Sequence, residues 1–285
     1  MRVGVTGCNG LLGSTICRLG SSFGVEPVKL SRECYGLENS LSLVCEYIRK
    51  MDVSVVVHCA ANTNVELCEQ EITECFKDNY LLTELLANAC KITDKKLVYI
   101  SSTGVYGNYQ EDPYREFDDI RPTTNHHKSK RMGELVVCDL LQDYLVVRTG
   151  WLFGGDWSMP KNFVANRVRE AKKCDGLIKS DCGQVGNPTY VDDLAQRVFM
   201  LIDSSWSGVF NCVNEGIASR FEYVGKIISL YGLDVKVEPV ESSSFNRMAK
   251  VSHNESAVNF KLNAYGFTPM PEWAASLSRY IEFNR

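Results

Sequence analysis

Three glycines near the N-terminus are spaced to bind a phosphate group. They are Gly7, Gly10 and Gly13. The β-branched segment 2–5 precedes them, and the apolar stretch Leu11–Leu19 follows. The first glycine permits a tight turn, the second lets the backbone approach a pyrophosphate, and the third lets the helix pack closely on the sheet. N–H groups in the first helical turn attract phosphate charge. The motif predicts a dinucleotide site, and the alternative is a plain strand-to-helix turn.

Strands and helices alternate through the first half of the chain and must position this turn. The predicted strands are 25–30, 53–58, 96–101 and 144–148. The predicted helices are Leu11–Leu19, Leu41–Met51, 72–90 and 128–141. Strands that are apolar throughout and joined by helical crossovers are buried on both faces. The pattern therefore predicts an α/β fold with a doubly wound parallel sheet.

The alternation loosens beyond Arg148, where glycines, prolines and polar turns separate shorter elements. We predict a dinucleotide-binding domain over residues 1–150, which also receives elements from about 185–215. Residues 151–285 are predicted to form a smaller C-terminal α/β lobe that mainly binds substrate and forms one wall of a cleft.

The composition argues against several other classes of protein. The chain has 285 residues, 45% of them hydrophobic, and a formal net charge of −4. That balance suits a globular protein and gives no basic surface for nucleic acid. The apolar runs are only strand-sized, and the first strand begins at once, so we expect neither a membrane span nor a signal peptide. The twelve cysteines form no CxxC pair. We expect free structural thiols, no metal site and a cytoplasmic location.

Several segments, in this order, resemble the extended short-chain dehydrogenase/reductase superfamily, and within it the branch of dTDP-4-dehydrorhamnose reductases. They are TGCNGLLG, HCAANTNVELCE, KDNYLLTELLANAC, YISSTGVYG, RPTTNHHKSKRMGE, VVRTGWLFG and QVGNPTYVDDLA. The resemblance covers residues 1–200 well and the C-terminal part loosely. It implies a Rossmann-type sheet and reduction of the 4-keto group of a nucleotide-linked deoxysugar.

Members of this superfamily use a Ser or Thr, a Tyr and a Lys, the last two spaced as YxxxK. The resemblance assigns the hydroxyl position to Ser102 and the lysine position to Lys130. At the tyrosine position stands His126, with the flanking Pro122 and the pair Gly133-Glu134 in agreement. No tyrosine of the chain is followed four residues later by lysine. The chain therefore departs from the pattern of its relatives at the residue that donates the proton.

An imidazole could replace the phenol in part. Residues four apart share a helix face, so His126 and Lys130 could converge on one carbonyl. An imidazolium can donate a proton, and its reference pKa of about 6.5 lies closer to neutral pH than the value of about 10 for tyrosine. The neighbouring ammonium would favour the neutral, less acidic form. We expect His126 to act as the acid or to orient the carbonyl. Lost or altered chemistry and an ordinary helix-start histidine are the alternatives.

The expected cofactor site combines the glycine turn with the ends of two further strands and two helical side chains. Its residues are Gly7, Asn9, Gly10, Leu11, Leu12, Gly13, Ser31, Arg32, Ala60, Ala61, Thr63, Asn79 and Lys130. The tip of the second strand carries Ser31-Arg32 and lacks an acid, which favours NADP(H) because an arginine accommodates the 2′-phosphate. Glu33 keeps NAD(H) possible.

The resemblance also implies the substrate contacts. They are Thr103, Trp151, Asn162 and Arg247, with the indole of Trp151 over the sugar or, alternatively, in the core. We therefore expect an NADP-dependent reductase of a nucleotide-activated deoxysugar, as part of polysaccharide biosynthesis. A nucleotide-sugar epimerase and a catalytically weak cofactor-binding regulatory protein are the alternatives. The family resemblance also suggests a homodimer.

Overall fold

Six parallel strands form the central sheet of the computed structural model, which describes residues 1–284. The strands of the chain are β1 (Arg2–Thr6), β2 (Glu26–Lys29), β3 (Val55–His58), β4 (Lys96–Ser102), β5 (Tyr144–Thr149), β6 (Trp151–Phe153), β7 (Leu177–Asp181), β8 (Val185–Gly186), β9 (Pro188–Tyr190), β10 (Gly208–Asn211), β11 (Ala218–Ser219) and β12 (Lys236–Val240). Across the central sheet the order is β2-β1-β3-β4-β5-β10. The order reverses between β1 and β3, and the carboxyl ends of strands at such a point open a crevice for ligands.

Helices cover both faces of this sheet. They are α1 (Leu11–Leu19), α2 (Arg32–Tyr35), α3 (Leu41–Met51), α4 (Val65–Gln70), α5 (Ile72–Phe76), α6 (Leu82–Thr93), α7 (Asn125–Leu140), α8 (Phe163–Ala171), α9 (Val191–Asp203), α10 (Arg220–Tyr231), α11 (Phe260–Ala264) and α12 (Trp273–Phe283). Val55 and Val57 join the core on the side of α1 and α9, whereas Val56 joins the core on the side of α3 and α6. Successive strand residues point to opposite faces, so one apolar run fills both cores. The predicted doubly wound α/β fold is confirmed.

Two helices near the site differ from the prediction. The predicted helix 72–90 is interrupted by a π-helical turn, Lys77–Leu81, between α5 and α6. Helix α7 begins at Asn125 rather than at residue 128, because the Thr124 side chain accepts a hydrogen bond from the backbone N–H of His127 and caps the helix. His126 therefore lies in the first turn of α7.

Three small strand pairs support the C-terminal lobe. Strand β7 pairs with β12 and β6 with β9, both parallel, and β8 pairs antiparallel with β11. Strand β10 returns to the central sheet beside β5. The division of the chain into two domains at residue 150 stays a prediction.

All twelve cysteines are free thiols in the structure. Within residues 1–284, no helix combines the length and apolar character needed to cross a membrane. Over the same range, no cluster of three or more His, Cys, Asp or Glu side chains is arranged to hold a metal ion.

Candidate functional site

The glycine turn between β1 and α1 is packed against itself and against the end of β3. Gly7 has a positive φ of 66°, a conformation that L side chains rarely adopt. A Cβ atom at Gly13 would lie 2.2 Å from the carbonyl oxygen of Gly7, and one at Gly7 would lie 2.7 Å from the nitrogen of Ala60. Both contacts are with backbone, so neither residue can carry a side chain without moving the chain.

The start of α1 offers free donors to a ligand. Its N-cap residue, Gly10, has no side chain that could cap the helix. The first N–H groups of a helix lack intrahelical partners and carry partial positive charge. The turn and the bare helix end together fit a pyrophosphate, as the glycine spacing predicts.

A cavity of about 540 Å³ extends from this turn to the ends of β4 and β5. Eight of the predicted cofactor residues line it, and they are Gly7, Gly10, Leu11, Leu12, Gly13, Ala61, Thr63 and Lys130. Ser102, His126 and Trp151 line the same cavity. The structure therefore places the three predicted catalytic residues, Ser102, His126 and Lys130, in the same cavity as the glycine turn.

Other predicted cofactor residues lie outside the wall of this cavity, although the structure describes all of them: Asn9, Ser31, Arg32, Ala60 and Asn79. Arg32 follows β2, as expected, but its guanidinium is paired with Asp78 instead of being free. Asn79 is completely buried beneath the site. Its predicted direct contact with the cofactor does not fit this position, and its hydrogen bonds join protein segments instead.

Ser102 ends β4 with its hydroxyl at the cavity. The backbone N–H of Gly104 donates to Ser102 Oγ at 3.2 Å, and Nε2 of His127 lies 3.5 Å from the same oxygen. A hydroxyl whose oxygen already accepts a hydrogen bond keeps its own hydrogen to donate. Ser102 is thus able to donate to a carbonyl oxygen in the cavity.

His126 is buried in the first turn of α7, with 7% of its surface exposed. Its Nδ1 lies 3.0 Å from the backbone carbonyl oxygen of Asn62. Burial, followed by the neighbouring His127 and Lys130, holds the pKa of His126 well below its usual value. The sequence predicted the effect of Lys130 but not the larger effect of burial. The ring is therefore neutral at neutral pH.

Lys130 is nearly inaccessible to solvent. Its Nζ lies 4.1 Å from the centroid of the Tyr99 ring, a cation–π contact. Burial lowers the pKa of Lys130 to about 7, and the nearby Glu134 opposes that shift. Lys130 therefore exchanges its proton near neutral pH, unlike a surface lysine.

A second cavity of about 590 Å³ adjoins the first. The two share Ser102, His126, Trp151 and Arg220 in their walls. Further cationic side chains line the second cavity, and they are Arg167, Lys179 and Arg247. Glu66, Asp181 and Glu255 lie in the same wall. Arg247 thus lies in a cavity wall, and its contact with the substrate stays a prediction. The basic groups suit a phosphorylated ligand.

Arg220, Trp151 and Glu255 form a cluster that the sequence did not predict. The Arg220 guanidinium lies 3.4 Å from the centroid of the Trp151 ring, and the indole N–H donates to Glu255 Oε2 at 2.7 Å. Burial lowers the pKa of Arg220 to about 10. The Ser-x-x-Glu capping box beginning at Ser219 predicts a helix start here, but nothing in the local sequence places Arg220 beside Trp151.

Thr103 and Asn162 are two of the predicted substrate contacts, and for Thr103 this contact stays a prediction. Both are buried, and neither lies in the wall of either cavity, although the structure describes both. The Asn162 side chain caps α8 by accepting from the Ala165 N–H at 3.0 Å and donates to Tyr280 Oη at 2.6 Å. Its hydrogen-bonding groups are therefore occupied inside the protein, and a direct substrate contact does not fit.

Comparisons with known proteins agree with this geometry. Residues 1–285 match the family described as RmlD substrate binding domain. The dTDP-4-dehydrorhamnose reductase of Mycobacterium tuberculosis is 30% identical over 283 residues, 97% of this chain and 91% of that protein. A crystal structure of such a reductase from Clostridium acetobutylicum has a TM-score of 0.94 at 32% identity, covering 100% of this chain and 99% of the other. One from Bacillus anthracis, in complex with NADP, has a TM-score of 0.93 at 30% identity, covering 99% of each chain.

Proposed function

Because the chain belongs to the RmlD substrate binding domain family, we propose that it is an NADP-dependent reductase of a nucleotide-activated 4-keto-deoxysugar. Its substrate class is that of dTDP-4-dehydrorhamnose. The observation that carries the proposal is the meeting of Ser102, His126 and Lys130 in the cavity that begins at the glycine turn. A scaffold protein with no turnover has no need of that arrangement.

The residues around the glycine turn fit a dinucleotide. Gly7, Gly10 and the N–H groups that begin α1 would hold its pyrophosphate. Ala61 and Thr63 line the continuation of the same wall. NADPH, when bound, supplies the hydride. Arg32 would have to exchange Asp78 for the 2′-phosphate, so the selection of NADP depends on how easily that ion pair opens.

Ser102 and His126 would act on the carbonyl oxygen of the substrate. Ser102 donates a hydrogen bond, which polarises the carbonyl and orients it. His126 supplies the proton from its imidazolium form as negative charge develops on the oxygen. The imidazolium is a minor form at neutral pH because the pKa of His126 is low. It is also a stronger acid than a tyrosine phenol, which offsets part of its scarcity.

Lys130 would serve the site in two ways. Lys130 lines the cavity and lies four residues from His126 on the same helix face, and the charge of its ammonium group favours negative charge developing at the carbonyl oxygen. Its pKa of about 7 also lets it exchange protons with water near neutral pH. The site would thus hold two groups, His126 and Lys130, that can each take up a proton from water after a turnover.

The second cavity would receive the nucleotide diphosphate of the substrate. Arg220 and Arg247 lie in its wall, and a guanidinium binds phosphate oxygens in a bidentate manner. Arg220 also covers the Trp151 ring. The sugar would therefore meet the Arg220–Trp151 pair rather than a bare indole face. A homodimer and a cytoplasmic location remain expectations from the resemblance.

A direct assay tests the proposal. Purified protein is mixed with NADPH and a panel of 4-keto nucleotide sugars that includes dTDP-4-dehydrorhamnose, and NADPH absorbance and the sugar product are followed. We expect NADPH oxidation that matches the product formed and is lost in His126→Ala. Isomerised sugar with no net NADPH oxidation would identify an epimerase. NADPH binding without turnover of any sugar would favour a regulatory protein, and activity only in His126→Tyr would exclude His126 as the acid.

A further inference from the structure

A buried asparagine holds the loop that contacts His126. The backbone N–H of Asn62 donates to Asn79 Oδ1 at 2.7 Å, and Asn79 Nδ2 donates back to the Asn62 carbonyl at 3.0 Å. The same carbonyl lies 3.0 Å from His126 Nδ1. Asn62 follows β3, Asn79 lies in the π-helical turn and His126 begins α7. One carbonyl oxygen thus connects three separate elements.

The contact between His126 Nδ1 and the Asn62 carbonyl oxygen determines which nitrogen carries the proton of the neutral ring. A backbone carbonyl only accepts hydrogen bonds, so the hydrogen between these atoms belongs to Nδ1. Asn79 Nδ2 also lies 3.5 Å from His126 Nδ1, but both groups are donors, and both converge on the two lone pairs of the Asn62 oxygen. With Nδ1 protonated, Nε2 of the neutral ring is an acceptor.

We propose that Asn79 is a positioning residue that keeps the ring proton of His126 on Nδ1, acting through the Asn62 carbonyl, so that Nε2 exchanges the proton with the substrate. The role of Nε2 rests on the proposed function, whereas the position of the ring proton can be measured without it.

Asn79 holds His126 from a second side as well. Its Nδ2 lies 3.0 Å from Ser129 Oγ, and Ser129 Oγ donates to the backbone carbonyl of His126 at 2.7 Å. The Asn79 side chain is fully buried, so water does not compete for these hydrogen bonds. The π-helical turn places Asn79 between the loop and α7, and such turns are common at functional sites.

The arrangement allows the proton to move without rotation of the ring. As hydride adds to the carbonyl carbon, the π electron pair of the C=O bond moves to oxygen. That oxygen then takes the Nε2 proton of the imidazolium. Loss of this proton leaves neutral His126 with its hydrogen already on Nδ1 and hydrogen-bonded to Asn62. A proton from solvent restores the imidazolium at Nε2.

Nitrogen NMR of histidine-labelled protein tests the inference directly. The chain has four histidines, and His126→Gln identifies the signals of His126 by their loss. At a pH above its pKa, we expect a pyrrole-type Nδ1 and a pyridine-type Nε2 in the wild-type protein. Asn79→Ala should give a mixture of the two tautomers. A wild-type ring with its proton on Nε2 would overturn the proposal, as would an unchanged tautomer in a folded Asn79→Ala variant.

Kinetics separate positioning from a structural role. Asn79→Ala should lower kcat about 10- to 100-fold with little change in KM. A loss of this size is typical of other proteins in which a residue that orients a functional histidine by hydrogen bonding is removed. Asn88→Ala is the matched control, because Asn88 lies on α6 and donates to the Glu84 carbonyl of its own helix. Equal losses in both variants would contradict positioning. If Asn79→Ala does not fold, Asn79→Ser, which keeps a polar side chain but is too short to bridge the N–H and C=O of Asn62, replaces it in both measurements, and a wild-type ring proton on Nε2 overturns the proposal in either case. A wild-type protein inactive on all 4-keto sugars would refute the proposed function and leave the tautomer result intact.

Discussion

The two ends of the main cavity are built by different means. At the glycine turn, backbone packs on backbone, and a Cβ at Gly13 would lie 2.2 Å from the carbonyl of Gly7. At the start of α7, side chains and burial hold His126 and Lys130, and both have lowered pKa values. The first end depends on space within a few consecutive residues. The second depends on charge state, which remote segments impose. The two ends should therefore respond differently to substitution and to pH.

Removing the imidazole should have the largest effect. His126→Ala is expected to lower kcat about 10²- to 10⁴-fold, the usual contribution of a general acid, while NADPH binding is retained. Stopped-flow kinetics and NADPH fluorescence titration measure the two quantities. Lys128→Ala, a change at an exposed position on the same helix, serves as the control. A His126→Ala variant within threefold of wild type would show that the imidazole is not the acid.

Adding a side chain to the glycine turn should affect binding instead. Gly13→Val is expected to weaken NADPH binding at least about 100-fold and to lower stability, since the backbone of Gly7 must move. Titration calorimetry and thermal unfolding test both effects. Gly225→Ala is the control, because a Cβ there meets nothing within 4 Å. Unchanged affinity in a folded Gly13→Val protein would exclude this turn as the pyrophosphate site.

The two ends of the cavity should also differ in their response to pH, with catalysis at α7 changing and NADPH binding at the glycine turn staying nearly constant. Because the pKa of His126 is held well below its usual value, its imidazolium fraction falls about tenfold for each pH unit above that pKa. We expect kcat/KM for reduction to fall as pH rises through neutrality, whereas NADPH affinity changes little. His126→Tyr should make the fall less steep, since the tyrosine reference pKa is about 10, and leave only the part due to Lys130, whose pKa is about 7. A flat wild-type profile would contradict the assignment.

Substitution of Arg220 should change substrate binding more than chemistry. Arg220→Gln is expected to raise the KM for the nucleotide sugar about tenfold, the value of one hydrogen bond to a charged group, with a smaller change in kcat. Steady-state kinetics measure both parameters. Arg18→Gln removes an exposed arginine paired with Asp192 and should change neither. An unaltered KM in Arg220→Gln would remove this arginine from the substrate site.

Acid should destabilise the protein through its buried histidines. Burial lowers the pKa values of His126 and His127 and brings that of His58 to about 3. The unfolded chain, with histidine pKa values of about 6.5, binds more protons below that pH, so the free energy of unfolding falls as pH falls. Each histidine contributes up to about 1.4 kcal/mol per pH unit until its folded pKa is reached. Denaturant titrations measure the slope, and His58→Gln should reduce it. Equal slopes in the two proteins would contradict this account.

The sequence was informative wherever local pattern determines structure. The glycine spacing, the apolar strands and the HxxxK pair at residues 126–130 were all readable, and the predicted fold is confirmed. Asn79 and Asn162 are buried and hydrogen-bonded inside the protein. The sequence could not indicate this, because asparagine has the same polar amide whether it contacts a ligand or closes a buried turn. Arg220 was missed because its partner Trp151 lies far away in the chain.

By itself, the sequence determined the order of strands and helices, the phosphate-binding turn and the four-residue spacing of His126 and Lys130. These features depend on side-chain periodicity and on the absence of a Cβ, which are local properties. Only the tertiary structure decided that Nδ1 of His126 lies beside the Asn62 carbonyl and that burial lowers the pKa values of His126 and Lys130, that of Lys130 to about 7. Proton affinity depends on burial and on hydrogen-bond partners, and those come from segments that meet only when the chain folds.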